Sequence, residues 1–254
     1  MRRTLLPLLS IGLLLGLTAG SRAADDDPKA VLAKAIKAHG GEEALTKYKA
    51  TQSKTKGKLF NLPVIGEAEF TQEAASMLPD KAKETMTLDV GGQKVNVVTI
   101  MNGDTFSIES AGMDVPITDD IKKALKGAQY MMKVARLVSL VKDKDYELSA
   151  LGEVKVEDKP AVGVQVKSKG HNDISLFFYK DTGLLAKLEH RSVEASSGKE
   201  ITEERIVVKY GDKTKEGIAL PKEVLVKHDG QTFMKAEVLE SKVLEKLDDS
   251  EFKK

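Results

Sequence analysis

The sequence contains no cysteine and no tryptophan, and only 5% of its 254 residues are aromatic. Without cysteine the chain can form no disulfide, hold no cysteine-ligated iron–sulfur cluster and offer no thiol nucleophile. Because the acylated residue of a lipoprotein signal is a cysteine, the N-terminus cannot be such a signal. The scarcity of aromatic rings argues against a surface that stacks on carbohydrate. A protein of this composition must rely on the size of its hydrophobic core for stability.

Catalytic motifs are missing as well. The sequence has no Gly-x-Ser-x-Gly elbow, no phosphate-binding loop, no Gly-x-Gly-x-x-Gly and no His-Glu-x-x-His. The histidines are scattered and lack the spacing of a zinc site, so we expect solvated or capping roles for them. His39 is favourably placed for the dipole at the C-terminal end of a helix. The four are His39, His171, His190 and His228. The sequence therefore predicts no catalytic residue, no metal site and no cofactor.

The N-terminus has the pattern of a secretory signal peptide. Met1-Arg2-Arg3 is basic, residues 5–17 are mostly apolar, and Ser21-Arg22-Ala23 places small residues before a cleavage point after Ala23. The apolar stretch is short for a spanning helix, and no later stretch approaches twenty apolar residues. We therefore predict a signal peptide over 1–23 and an exported protein. An uncleaved membrane anchor is the alternative.

The charge balance gives no reason to expect nucleic acid as a partner. Cleavage would remove three arginines and move the net charge from +1 to −2. The remaining lysines and glutamates are interspersed, so they create no extended field of one sign. No linker rich in proline, glycine or serine interrupts residues 24–254, which predicts a single domain.

Residues 173–191 predict an antiparallel hairpin around which the other strands are arranged. Two runs with alternating apolar residues flank Lys180-Asp181-Thr182-Gly183, where Gly183 is free to adopt a positive φ. Similar runs continue on both sides, separated by turn signals such as Gly91-Gly92 and Asn102-Gly103. The predicted strands are 51–60, 64–73, 82–90, 93–101, 105–109, 146–157, 161–168, 174–179, 184–192, 200–210, 219–227 and 232–243. So many strands cannot form one flat open sheet. The predicted fold class is α+β, mostly β, with a single large antiparallel sheet that curls.

Helices are predicted at the N-terminus and between the two groups of strands. Asp27 and Pro28 favour the start of a short helix that ends at Gly40-Gly41, with a further turn or two from Glu42. Thr118 favours the start of a longer helix that runs to about Val141, with a broad apolar stripe. An ordinary core helix explains this stripe. The flexible side chains of Met131 and Met132 favour instead a lid over a concavity that accepts lipid, with Gly127 as a bending point. At the other end of the chain, we expect Phe252 to pack against the sheet.

Several segments together resemble a known group of proteins. They are residues 35–45, a strand that contains Lys56-Gly57, residues 178–185, residues 217–224 and the closing residues 247–252. In this order, behind a signal peptide, they resemble the LolA-like group of exported bacterial proteins, the outer-membrane lipoprotein-sorting carriers and their relatives. The resemblance implies a curved antiparallel half-barrel whose concave apolar face is covered by helices and shelters acyl chains.

On this basis we predict a non-catalytic periplasmic carrier or binding protein for lipid or for lipoprotein-like acylated cargo. We expect a monomer, with an envelope protein as a possible further partner. The alternative is a protein-interaction or envelope-sensor module on the same scaffold, whose concavity is filled by its own side chains. An exported hydrolase is the third hypothesis. The predicted lipid-binding residues are Leu125, Met131, Met132, Ala135 and Val138 of the helix, facing Ile174, Leu176, Phe178 and Leu188 of the sheet.

Overall fold

The structure, a computed structural model, describes residues 27–194 and 197–254. The predicted signal peptide and its cleavage point lie outside the described residues. The helices are α1 (Pro28–His39), α2 (Glu42–Lys47), α3 (Asp119–Ala135) and α4 (Val138–Lys142), with a short 3-10 turn at Asp249–Phe252. None of the helices within the described ranges combines the length and hydrophobicity that a membrane span requires.

Thirteen strands in the described residues form one antiparallel sheet. They are β1 (Ala50–Leu62), β2 (Gly66–Met77), β3 (Lys81–Val90), β4 (Gln93–Asn102), β5 (Thr105–Ser110), β6 (Met113–Val115), β7 (Glu147–Val156), β8 (Lys159–Lys167), β9 (Ile174–Tyr179), β10 (Leu185–Val193), β11 (Glu200–Tyr210), β12 (Pro221–His228) and β13 (Gln231–Leu244).

The strand order shows that the sheet consists of two meanders joined at a central seam. The order is β6-β5-β4-β3-β2-β1-β13-β12-β11-β10-β9-β8-β7. The first and the last strand therefore pair with each other, from Ala50 opposite Leu244 to Leu59 opposite Met234. The edge strands β6 and β7 do not pair in the described residues, so the curved sheet is unclosed. This architecture confirms the predicted fold class.

The turn signals in the sequence predicted the positions of twelve strands correctly. Each of the twelve predicted strands corresponds to an observed one, and Gly183 adopts a φ of 74° in the central hairpin turn. The strand β6 was not predicted. The prediction of one helix from Thr118 to Val141 is wrong, because α3 ends at Ala135 and Leu137 has a φ of 65°. The break between α3 and α4 therefore lies at Leu137. Gly127, the predicted bending point, lies inside α3, which is continuous from Asp119 to Ala135.

The helices pack on one face of the sheet, which we call the helix-side face. Leu32 of α1, Val134 of α3 and Leu140 of α4 join Leu176 and Phe178 of β9 in one buried cluster. All five side chains are at most 2% exposed. Full burial of such a side chain contributes about 1.5–3 kcal/mol, so this cluster fixes the helices on the β8–β10 part of the sheet.

The C-terminal residues pack elsewhere on the sheet. Phe252 is 1% exposed, and its 3-10 turn contacts β3 and β4. The side chain of Asp248 accepts a hydrogen bond from the backbone N–H of Ser250 and caps this turn. The prediction that Phe252 packs against the sheet is confirmed.

Candidate functional site: the helix-side trough

The helix-side face extends across the whole sheet, as the strand register shows. Side chains that are paired in register lie on the same face. Leu188 belongs to the buried cluster and pairs with Arg205. Arg205 in turn pairs with Val226, and Val226 with Met234. Met234 pairs with Leu59 across the central seam. The same face therefore continues from β10 into the N-terminal half.

The predicted lipid-binding residues fall into different environments. Met131, Ile174, Leu176, Phe178 and Leu188 lie in the buried cluster, with exposures from 0% to 8%. Protein side chains fill the space between α3 and strands β9 and β10. In the remainder of the set, Leu125, Met132 and Val138 are half-buried, whereas Ala135 is exposed. The binding role of these residues stays a prediction.

Helix α3 carries a second apolar stripe that faces the N-terminal half of the sheet. Its orientation follows from two side chains on the same side of the helix. The amide nitrogen of Gln129 donates to the carbonyl oxygens of Asp80, at 2.7 Å, and Gly103, at 2.8 Å. The Nη2 group of Arg136 donates to the carbonyl oxygen of Tyr48, at 3.0 Å. The apolar residues of this stripe are all half-buried: Ile121, Leu125, Ala128 and Met132.

The helix-side face of the sheet also carries half-buried apolar side chains in its N-terminal half. Register pairs such as Met86 with Val97, and Leu88 with Phe70, place a row of apolar side chains on the helix-side face. They too are half-buried, so water reaches them, in contrast to the cluster under α1. The row comprises Met86, Leu88, Val95, Val97, Phe106, Ile108 and Val224. We call the space between this row and the second stripe of α3 the helix-side trough.

A polar cluster interrupts the apolar lining of the trough. Glu203 of β11 accepts a hydrogen bond from the Nε of Arg205 at 2.5 Å. Its carboxylate oxygens also lie 3.5 Å from Nε2 of His190 and 3.4 Å from Nε2 of His228. Burial alone would raise the pKa of Glu203, but Arg205 and the two histidines outweigh it and hold the pKa well below its ordinary value. Glu203 is therefore a buried anion that three side chains surround.

A second acidic group faces this cluster from across the trough. Glu84 of β3 accepts a hydrogen bond from Gln72 at 3.0 Å, and burial raises the pKa of its carboxyl despite this bond and the charge of Arg205. Five strand-to-strand steps separate β3 from β11, roughly 24 Å in a flat sheet. Charges that far apart would be screened. Glu84 and Arg205 nevertheless shift the pKa of each other, as expected for a sheet that curves.

The other two histidines have structural roles. The Nδ1 of His39 lies 2.8 Å from the carbonyl oxygen of Ala35, and the backbone N–H of Leu185 donates to Nε2 at 3.3 Å. Burial lowers the pKa of His39, so the ring is a neutral link between α1 and β10 and not the charged dipole partner that we expected. The ring of His171 stacks on Tyr130 with centroids 3.9 Å apart. In residues 27–194 and 197–254, no three acidic or histidine side chains converge as metal ligands.

A groove of about 1050 Å³ lies on the face of the sheet opposite the helices, which we call the outer face, and it was not predicted from the sequence. Its apolar residues include Val208 and Leu225. Charged side chains of both signs make up much of the lining: Lys56, Lys58, Glu69, Asp89, Lys94, Glu157, Glu223, Lys235 and Glu237. Alternating charges on a strand are typical of a solvent face, so the sequence carried no signal for this groove.

Comparison with known proteins bears on the fold. No protein-family profile matches the sequence, and no curated protein is significantly similar to it. Among solved structures, the LolA superfamily protein NE2245 from Nitrosomonas europaea is 12% identical, with a TM-score of 0.54 over 89% of this chain and 97% of its own. A DUF1329 family protein from Desulfovibrio piger is also 12% identical, with a TM-score of 0.55 over 90% and 98%.

A third structure, a domain from Vibrio parahaemolyticus assigned to outer membrane lipoprotein sorting, is 10% identical, with a TM-score of 0.52 over 89% and 95%. All three matches span nearly the full length of both chains. At such low identity they establish the architecture alone. The chain therefore has the LolA-like fold, as the sequence resemblance predicted.

Proposed function

We propose that the protein is a non-catalytic carrier or binding protein for lipid or acylated cargo in the bacterial periplasm. The observation that supports this best is the helix-side trough, whose apolar side chains on α3 and on β3–β5 are only half-buried. Transfer of an acyl chain into such a space yields about 0.8 kcal/mol per methylene, or roughly 8 kcal/mol for ten methylenes. Cargo would thereby cover surface that the protein leaves accessible to water.

Two further observations support the cargo class and the location. Structural relatives include a LolA superfamily protein and a domain assigned to lipoprotein sorting. Residues 1–23 have the composition of a signal peptide, which favours an exported protein. In this proposal α3 acts as a cover, packed on the buried cluster with one side and facing the cargo with the other.

A protein-interaction module is the second candidate, and one observation favours it. The space between α3 and β9–β10 is filled by side chains such as Met131 and Phe178, whereas the outer-face groove is open and lined by charges. A groove of mixed charge suits an extended peptide better than an acyl chain, because its charged groups would lose hydration against hydrocarbon.

Native mass spectrometry of the protein purified gently from a bacterial periplasm, followed by lipid extraction, tests the first proposal. We expect co-purifying lipid or acylated peptide. Met132→Glu places a charge in the trough stripe and should abolish the bound mass. Val141→Glu adds the same charge at an exposed position of α4, outside the predicted lipid-binding residues, and should retain it.

Circular dichroism should show that both variants are folded. A ligand-free mass that persists after incubation with lipid vesicles would overturn the carrier proposal. Equal lipid retention by both glutamate variants would place the cargo outside the trough.

A further inference from the structure

We propose that the polar cluster in the trough is a docking site for the anionic head of an amphiphilic ligand, with Arg205 as its anchor. The ligand class is a single acyl or alkyl chain that ends in a carboxylate or phosphate group. This inference rests on the proposed function, because the chain of the ligand would occupy the apolar part of the trough.

The hydrogen bonding of Arg205 leaves donors available. Guanidinium has five N–H donors in a fixed planar arrangement. Only the Nε of Arg205 is engaged, by Glu203, and within the described residues its Nη groups make no hydrogen bond. The side chain is 42% exposed, although Glu203 beside it is only 12% exposed. In the described part of the chain, Arg205 thus combines Nη groups that make no hydrogen bond with a side chain that is partly exposed on the helix-side face.

These donors set a requirement for the cargo. A purely apolar molecule that filled the trough would exclude water and leave the Nη groups without partners, which is costly for a charged donor. A carboxylate or phosphate matches the planar donor arrangement with two parallel hydrogen bonds. Binding is therefore selective for an amphiphile that brings its own anionic oxygens.

The surroundings of Arg205 fit a fixed anchor better than an internal cross-link. Glu203 holds the guanidinium through its Nε, and the two histidines contact Glu203 in turn. On the other side, Glu84 influences Arg205 electrostatically, yet no ion pair within 4.0 Å joins the two in the described part of the chain. The Nη groups of Arg205 are therefore not committed to Glu84. Because burial raises the pKa of Glu84, this carboxyl takes up a proton more readily than an exposed glutamate and can then donate to a ligand oxygen.

The test compares three ligands with the same twelve-carbon chain, namely dodecanoate, dodecyl phosphate and dodecanol, by isothermal titration calorimetry. For the unmodified protein we expect at least one anionic ligand to bind about tenfold more tightly than dodecanol, the effect of a pair of charge-assisted hydrogen bonds. Dodecanoate and dodecyl phosphate distinguish a fatty acid from a phospholipid-type head. Arg205→Met should remove the preference and retain dodecanol binding.

Arg191→Met is the matched control. Arg191 lies on the adjacent strand β10, is 72% exposed and pairs with Thr202 on the outer face. Its replacement should leave the head-group preference unchanged.

The possible results separate the two proposals. Equal binding of all three ligands to the unmodified protein, or a preference that survives in Arg205→Met, would overturn the head-group site but leave the carrier proposal intact. If none of the three ligands binds, the head-group site is overturned, and native mass spectrometry after incubation with lipid vesicles decides the carrier proposal separately. Should Arg205→Met not fold, the comparison of the three ligands on the unmodified protein still shows whether an anionic head group is preferred. Arg205→Lys retains the charge and tests whether the planar donor arrangement is needed.

Discussion

Replacement of His39 by alanine should destabilise the protein strongly, although this residue lies outside the trough. The ring links the last turn of α1 to β10 through the N–H of Leu185, and its Nε2 also lies 3.3 Å from the hydroxyl of Tyr210. Loss of the ring leaves a buried N–H without an acceptor and creates a cavity. The two effects together amount to about 2–4 kcal/mol of unfolding free energy at neutral pH.

The same residue makes stability depend on pH in a defined direction. Burial lowers the pKa of His39 from its ordinary value of 6.5, so the folded protein binds this proton less readily than the unfolded chain does. The contribution of His39 to the free energy of unfolding is therefore fully present above pH 6.5. It falls as the pH drops from 6.5 towards the lower pKa of the folded state. Within this window a group that is protonated only in the unfolded state contributes a slope of up to about 1.4 kcal/mol per pH unit.

Urea unfolding at several pH values between 5 and 8, followed by circular dichroism, measures both effects. His39→Ala should be less stable at pH 8 and should show a shallower loss of stability below pH 6.5 than the unmodified protein. Tyr210→Phe serves as the control, because it retains the histidine and should keep the full slope. Identical slopes in the unmodified protein and His39→Ala would refute the assignment of a neutral, buried His39.

Three further substitutions test how tightly the side chains pack. Gly163→Ala should lose about 1–3 kcal/mol, because a Cβ there would lie 2.8 Å from Cβ of Leu151 and 2.9 Å from the ring of Phe177. Gly127→Ala should instead gain up to about 1 kcal/mol, since nothing lies within 4 Å and alanine favours a helix; thermal denaturation compares the two, and equal effects would contradict the close contact at Gly163. Phe252→Ala should cost about 3–5 kcal/mol in urea unfolding, and a loss below 1 kcal/mol would show that the C-terminal turn adds little to the core.

The strands could be predicted from sequence because the turns between them are explicit. Signals such as Gly91-Gly92 and Asn102-Gly103 divide the chain where the structure turns. The strand β6 was missed because three residues are too few to show a period of two. The break in the long helix was missed for a different reason. Leu137 carries no turn signal, yet it has a positive φ while its side chain, 1% exposed, lies in the buried cluster.

The site was harder to predict than the fold. A period of two separates the faces of a strand but does not label them, so the filled and the open parts of the helix-side face could not be distinguished. Met131 and Met132 are neighbours in sequence, yet one is buried in the cluster and the other lies in the half-buried stripe that faces the trough. The electrostatic interaction between Arg205 and Glu84 depends on the curvature of the sheet from β3 to β11, which no local pattern encodes.

The central seam also has a consequence for how the chain reaches its folded state. Each meander can form from neighbouring hairpins, but Ala50 finds its partner only when Leu244 is available. Contacts between residues so distant in sequence close late and slow the overall rate. Until then, the thirteen residues of β1 present an unpaired edge in the middle of the future sheet, where another chain could add a strand. Loss of β13 would therefore open the sheet at its centre and convert one continuous surface into two separate ones.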